Sequence, residues 1–280
     1  MKRLVVVMFA VSLVGACQKS TGDDDDGMGS NNEQADAAIP AMTTDVSADV
    51  TADTTWSGLI KVHAAISVAA GITLAVDPGS VIQLDAAAGI TVNGTVTING
   101  AKGNVVTIGP ATGNKFWRQW TVSTGRLNMT YVQQTGGAFS IGGTGKVMAR
   151  DSELSNAGSF PTDLLVVSGG TVDVQYSWLG LPEGQSDITH CDMHFEGSAP
   201  LNLTISHTNV STAAVGIMLY AGMADLTFNN WFGNSKDIDR QATGKGDLSN
   251  SYFKKGNPTA NASLTQNAMA TSMVPDAGPR

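Results

Sequence analysis

From Leu59 onward, apolar and polar positions alternate in short runs: LIKV, ISVA, GITLAVDPGSVIQL, GITVNG, TVTING and NVVTIGP. A period of two is the pattern of strands with one buried face. Gly or Asn closes nearly every run, and no stretch carries a 3.6-residue period, so strands are predicted and helices are not. Two all-β arrangements compete. Asn93-Gly94 and Asn99-Gly100 are type I′ hairpin signals and favour an antiparallel sandwich. Against them stands a repeat, seen in LNMTYV from Leu127, VMARDSEL from Val147, VDVQYSWL from Val172, LTISHTNV from Leu203, LTFNNWF from Leu226 and LSNSYF from Leu248. Each unit opens on an aliphatic residue, alternates, and meets a Ser, Thr, Asn or Tyr cluster before another apolar residue. The spacings are 20, 25, 31, 23 and 22 residues. A recurring unit of this size predicts a solenoid.

Composition agrees. The chain has 280 residues with 32 Gly and 9 Pro, 42% hydrophobic residues but only 6% aromatic. Small aliphatics suit a narrow interior, and Gly and Asn suit tight corners. The net charge is −8, which excludes a phosphate-neutralising surface and with it a nucleic-acid partner. Gly71 to Leu84, with its Pro78-Gly79, followed by GITVNGTVTINGAKGNVVTIG, resembles the opening rungs of right-handed parallel β-helix proteins with a pectate-lyase-like fold. The resemblance covers roughly residues 56–256. It implies a right-handed parallel β-helix of about nine rungs, at about 22 residues per rung. That fold carries lyases, hydrolases, adhesins and non-enzymes alike, so it implies no single activity.

The N-terminal segment is an address. Lys2 and Arg3 precede a short apolar run, Leu4 to Val14, and Val14-Gly15-Ala16-Cys17 resembles the bacterial lipobox. Residues 1–17 are therefore expected to be a lipoprotein signal with Cys17 acylated as the mature first residue. The implied partner is a membrane, reached through the lipid anchor. Gln18, rather than Asp, after the lipidated Cys points to the outer membrane, by resemblance to enteric sorting rules. Residues 18–55 hold nine acids and one base and predict a disordered acidic tether. Residues 257–280 have no period and predict a disordered tail, with Thr54–Trp56 and Lys254–Lys255 as caps on the two open ends.

The concentrated polar chemistry is Asp187-Ile-Thr-His-Cys-Asp-Met-His-Phe-Glu196. As a strand it places His190, Asp192, His194 and Glu196 on one outer face, and Cys191, Met193 and Phe195 toward the core. The row suits a divalent cation, the one cofactor proposed, although none is required; His207 is a neighbouring candidate. The alternatives are a solvated strand face or an acid/base pair for a sugar substrate. Arg150, Asp151 and Asp173 sit near rung starts, and Asp237-Ile-Asp239-Arg240 late in the rod is a weaker cation candidate. Trp117, Trp120, Trp178 and Trp231 are read as packing or sugar-stacking residues, with Trp117 or Trp120 at a bend or exposed. Asn209, Asn229, Asn230 and Asn250 suggest an Asn stack. No nucleotide-binding, GxSxG or zinc CxxC motif is present.

The expected function is a lipoprotein of the cell envelope whose β-helix is a non-enzymatic binding, adhesion or scaffold module for polysaccharide or an envelope protein. The alternative is a polysaccharide lyase or glycoside hydrolase.

Overall fold

The computed structural model describes residues 42–158, 162–185, 187–196, 202–241, 243–259 and 262–280. The signal segment with Cys17, and the tether as far as residue 41, lie outside the described residues. The described chain is a parallel β-solenoid of about nine turns with three sheets and, among the described residues, no helix. Sheet one has ten strands from Thr43–Val46 to Tyr252–Phe253. Sheet two has eight, from Ala65–Val68 to Lys236–Arg240. Sheet three has ten, from Thr54–Trp56 to Leu264–Thr265. Each strand pairs in parallel with the strand of the same sheet one turn earlier and one turn later, so nine steps of about 4.8 Å give a rod about 43 Å long.

The alternation read from the sequence is the packing rule. Ile60, Val62, Ile66, Val68, Leu74 and Val76 line one turn, and Ile82, Leu84, Ile90, Val92, Val96 and Ile98 stack on them in the next; all are buried. The Asn-Gly signals mark corners between parallel strands rather than hairpins. A Cβ on Gly94 would lie 2.3 Å from the carbonyl oxygens of Ala69 and Ile72, so only glycine lets this corner rest on the turn before it.

The sheet-three register pairs Leu127 with Val147, Val147 with Val172 and Val172 with Leu203, as the repeat predicts. Leu203 then pairs with Ala224, not Leu226. The two-residue offset keeps the same parity, so Leu226 still points inward and is buried. The polar cluster in each repeat is the corner between sheets three and one. There Tyr131, Asp151, Tyr176, His207, Phe228 and Asn250 each adopt φ between 48° and 60°. The residue after most of them turns inward and bonds to a neighbouring turn. Ser152 Oγ accepts from the Val132 amide at 3.1 Å, Ser177 Oγ from Ser152 at 3.2 Å, and Ser251 Oγ from Asn229 at 3.0 Å. The four Asn fall in three separate columns. Asn209 and Asn230 are in register on sheet one, Asn229 is in the inner hydroxyl column, and Asn250 is at the left-handed corner.

Strand structure extends past the sequence boundaries 56 and 256. Thr43–Val46 forms the first strand, and three acids of the expected tether bond to groups of the opening turns. Asp49 accepts from the Ser67 amide at 2.7 Å, Asp53 accepts from Thr73 at 2.8 Å, and Asp45 lies 2.8 Å from His63. An open first turn needs acceptors for such groups, and carboxylates supply them. At the other end, Leu264 is buried and Leu264–Thr265 closes sheet three. Lys255 Nζ bonds to the Asn234 and Ser235 carbonyls, consistent with a cap there.

Candidate functional site

Sheet two carries the histidine-rich strand, Cys191–Phe195, between Leu165–Val167 and Val215–Leu219. Cys191, Met193 and Phe195 are buried in the core, as the alternation predicts. His190 and His194 lie outside it and are brought together by Asp163, a residue the sequence reading missed. Asp163 Oδ1 is 3.0 Å from His190 Nδ1, and Oδ2 is 2.7 Å from His194 Nδ1. Oδ1 also accepts the Cys191 backbone amide at 3.1 Å. An ionised carboxylate only accepts, so both imidazoles carry their proton on Nδ1 in this arrangement. His194 Nε2 is 3.5 Å from Glu196 Oε2, and its ring stacks on Tyr220 at 5.2 Å. The result is a chain of polar groups running from His190 through Asp163 and His194 to Glu196.

Two residues of the expected set do not join it. Asp192 is fully buried, and neither carboxylate oxygen has a hydrogen-bonding partner. Burial, and then the negative charge of Asp187, hold its carboxyl well above the ordinary range. His207 lies at the corner between sheets three and one, stacked between Tyr176 at 4.8 Å and Phe228 at 4.9 Å.

Asp163, His190 and Cys191 each place a ligand-type atom within 4.8 Å of the others. Carboxylate oxygen, imidazole nitrogen and thiol sulfur form a donor set suited to a borderline-soft divalent ion such as zinc. Burial, and then Asp163, push the Cys191 thiol strongly up, so a thiolate here needs a cation beside it. Only the register shows Asp163. Leu165 pairs with Met193, a spacing of 28 residues, while sheet three steps by 31 between the same two turns. Pro161-Thr162-Asp163 carries no motif of its own.

The other candidates are spent on packing. Trp117 and Trp120 are both buried, with Trp117 at the bend before Gln119–Val122. Their rings meet edge to face at 6.0 Å. Trp231 is buried against Phe253, and Trp178 bonds to Ser211. Arg150 donates to Gln175 and lies 3.4 Å from Asp173. Lys236 holds the Asp239 carboxyl below its ordinary range, and burial raises that of Asp237. These two acids line a cleft of about 380 Å³ with Arg240 and Lys255, over the last strand of sheet two.

Fold and site together define a three-sheet parallel β-solenoid with a carboxylate-bridged histidine pair on one face. Comparison with protein-family models, with curated proteins and with solved structures finds no significant match. None of the three comparisons supports the resemblance to pectate-lyase-like proteins read from the sequence; the architecture itself is a three-sheet parallel β-solenoid.

Proposed function

We propose that this protein is a non-enzymatic binding module of the bacterial envelope, held at the outer membrane through acyl chains on Cys17. Its rod would engage an extended polysaccharide or an envelope protein. One observation carries the reading: the candidate carboxylates are either already paired or enclosed within the rod. Asp163 is shared by two imidazoles, Asp173 faces Arg150, Asp239 faces Lys236, and Asp192 is enclosed. The outer faces instead present short polar rows at the turn spacing. Ser67, Thr91, Thr121 and Ser140 form one on sheet two, a geometry that suits a repeating polymer. The full-length protein on a glycan array is expected to retain one class of glycan and to release no product from it. Release of oligosaccharide from uronate or neutral glycans overturns the reading in favour of the lyase or hydrolase alternative.

The same proposal gives the histidine site a structural cation. A divalent ion would bind Asp163, His190 and Cys191, with the His190 proton moving from Nδ1 to Nε2 and the thiol proton released to solvent, while His194 holds the far side of the carboxylate. Among Zn²⁺, Ni²⁺, Mn²⁺ and Ca²⁺, zinc is expected to raise the melting temperature most, through mass action. The His190→Ala/His194→Ala variant should lose that shift. An equal shift in the variant, or none in the wild type, removes the cation from the account.

A further inference from the structure

After the last strand of sheet three, the chain turns back and runs along the corner between sheets three and one. The Ala270 amide bonds to the Ser251 carbonyl at 3.0 Å. Val274 and Asn230 exchange two hydrogen bonds, at 2.7 and 3.2 Å. The Gly278 amide donates to the His207 carbonyl at 2.8 Å. Arg280 then reaches Asp151. The strap thus crosses the turns of Ser251, Asn230, His207, Tyr176 and Asp151 in order, against the direction in which the rod grows.

Its last contact is built for one chemistry. The corner column reads Tyr131, Asp151, Tyr176, His207 and Phe228, and the rings from Tyr176 to Phe228 stack on one another. Asp151 interrupts the aromatic column with a short side chain and leaves a notch. The Arg280 guanidinium fills it, with Cζ 3.6 Å from the centroid of Tyr176. Nε and Nη2 donate to the two Asp151 oxygens at 3.0 and 3.3 Å, and the Arg280 amide donates to Oδ1 at 3.3 Å. The Asp151 side chain is only 6% exposed, while that of Arg280 is 55% exposed. A buried carboxylate at the base of the notch and an aromatic face on one wall match a planar, forked cation and fit a lysine ammonium poorly.

We propose that this notch is a guanidinium-recognition site, filled in cis by Arg280, which takes the arginine side chain of an extended partner peptide when the strap lifts. The strap is held by single backbone hydrogen bonds at Ala270 and Gly278, the paired contact of Val274 with the Asn230 side chain, and one exposed arginine, so it can exchange while the rod stays folded. A competing peptide pays for displacing it, and the site therefore discriminates by arginine and by the small residues that precede it.

The test uses the full chain with Arg280→Ala and an amidated synthetic peptide of residues 274–280, followed by calorimetry. The variant should bind the peptide at least about tenfold more tightly than the wild type does, because its notch is empty. Replacing the peptide's arginine with lysine should cost about tenfold or more, as should adding Asp151→Asn to the variant. Peptide that does not bind Arg280→Ala, or that binds equally with alanine in place of its arginine, overturns the proposal. Hydrogen exchange on the wild type covers the case of a misfolded variant. Saturating peptide should speed exchange of the Gly278 amide, and unchanged exchange there also overturns it.

Discussion

Replacing Trp120 with alanine should destabilise the rod by about 3–5 kcal/mol, the range for deleting a large buried aromatic side chain. Trp120 is fully enclosed among Ile90, Phe139 and Trp117, in a turn whose neighbours are mostly small aliphatics. Its Nε1 donates to Gln134 Oε1 at 2.8 Å, and Gln134 Nε2 donates to the Gly137 carbonyl at 2.9 Å. Truncation leaves a void and also leaves a buried glutamine oxygen unpaired, which adds to the cost. The rungs on either side cannot close the gap, because their register is held by backbone hydrogen bonds along three sheets. Trp120→Phe, which keeps most of the volume but not the donor, should lose clearly less. Urea denaturation of the three proteins decides the matter, and a Trp120→Ala midpoint equal to wild type would show that the interior is not close-packed at this turn.

Asp192→Asn should stabilise the protein by about 1–3 kcal/mol at neutral pH, because the buried carboxyl must take up a proton on folding whereas the amide is neutral in both states. The effect depends on pH in a defined direction. The native carboxyl titrates well above its ordinary value, so from the ordinary carboxylate range up to that raised value the native state holds a proton that the unfolded chain has lost. The contribution of this carboxyl to stability is therefore greatest in acid and falls as pH rises through that window. The asparagine variant lacks this slope, so its advantage should be small at pH 4 and largest at pH 8. Denaturation at both values, in chelator to keep the neighbouring histidines metal-free, measures it. A variant less stable than wild type at both pH values would mean that the carboxyl makes a favourable contact that asparagine cannot replace.

These two residues also show how far the chain could be read before its fold was known. Trp120 belongs to an alternating run, and period two put it inside. Asp192 belongs to an equally regular run, and period two put it outside with His190 and His194. The rule failed there because the walls of the later turns are not uniform. Gly216, the residue beside Asp192 in register, is itself buried, and a Cβ on it would lie 3.0 Å from the Trp231 ring. That surface has no solvent side for a carboxylate to reach.

Periodicity and repeat spacing determined by themselves that the chain is an all-β solenoid, that Cys191, Met193 and Phe195 face the core, and that Ser, Thr, Asn and Tyr recur at one place in each turn. Those are local properties: the strand pleat has a period of two, and every turn meets the same corner. Only the tertiary structure decided that Asp163 bridges His190 and His194, that Asp192 is enclosed, and that Arg280 returns across the strap to Asp151. The first and last of these join residues 27 to 129 positions apart, through a register that differs between sheets because insertions lengthen one corner and not another. Side-chain spacing along a strand is set by bond geometry, whereas the neighbour across the next turn is set by how many residues the intervening corners absorb.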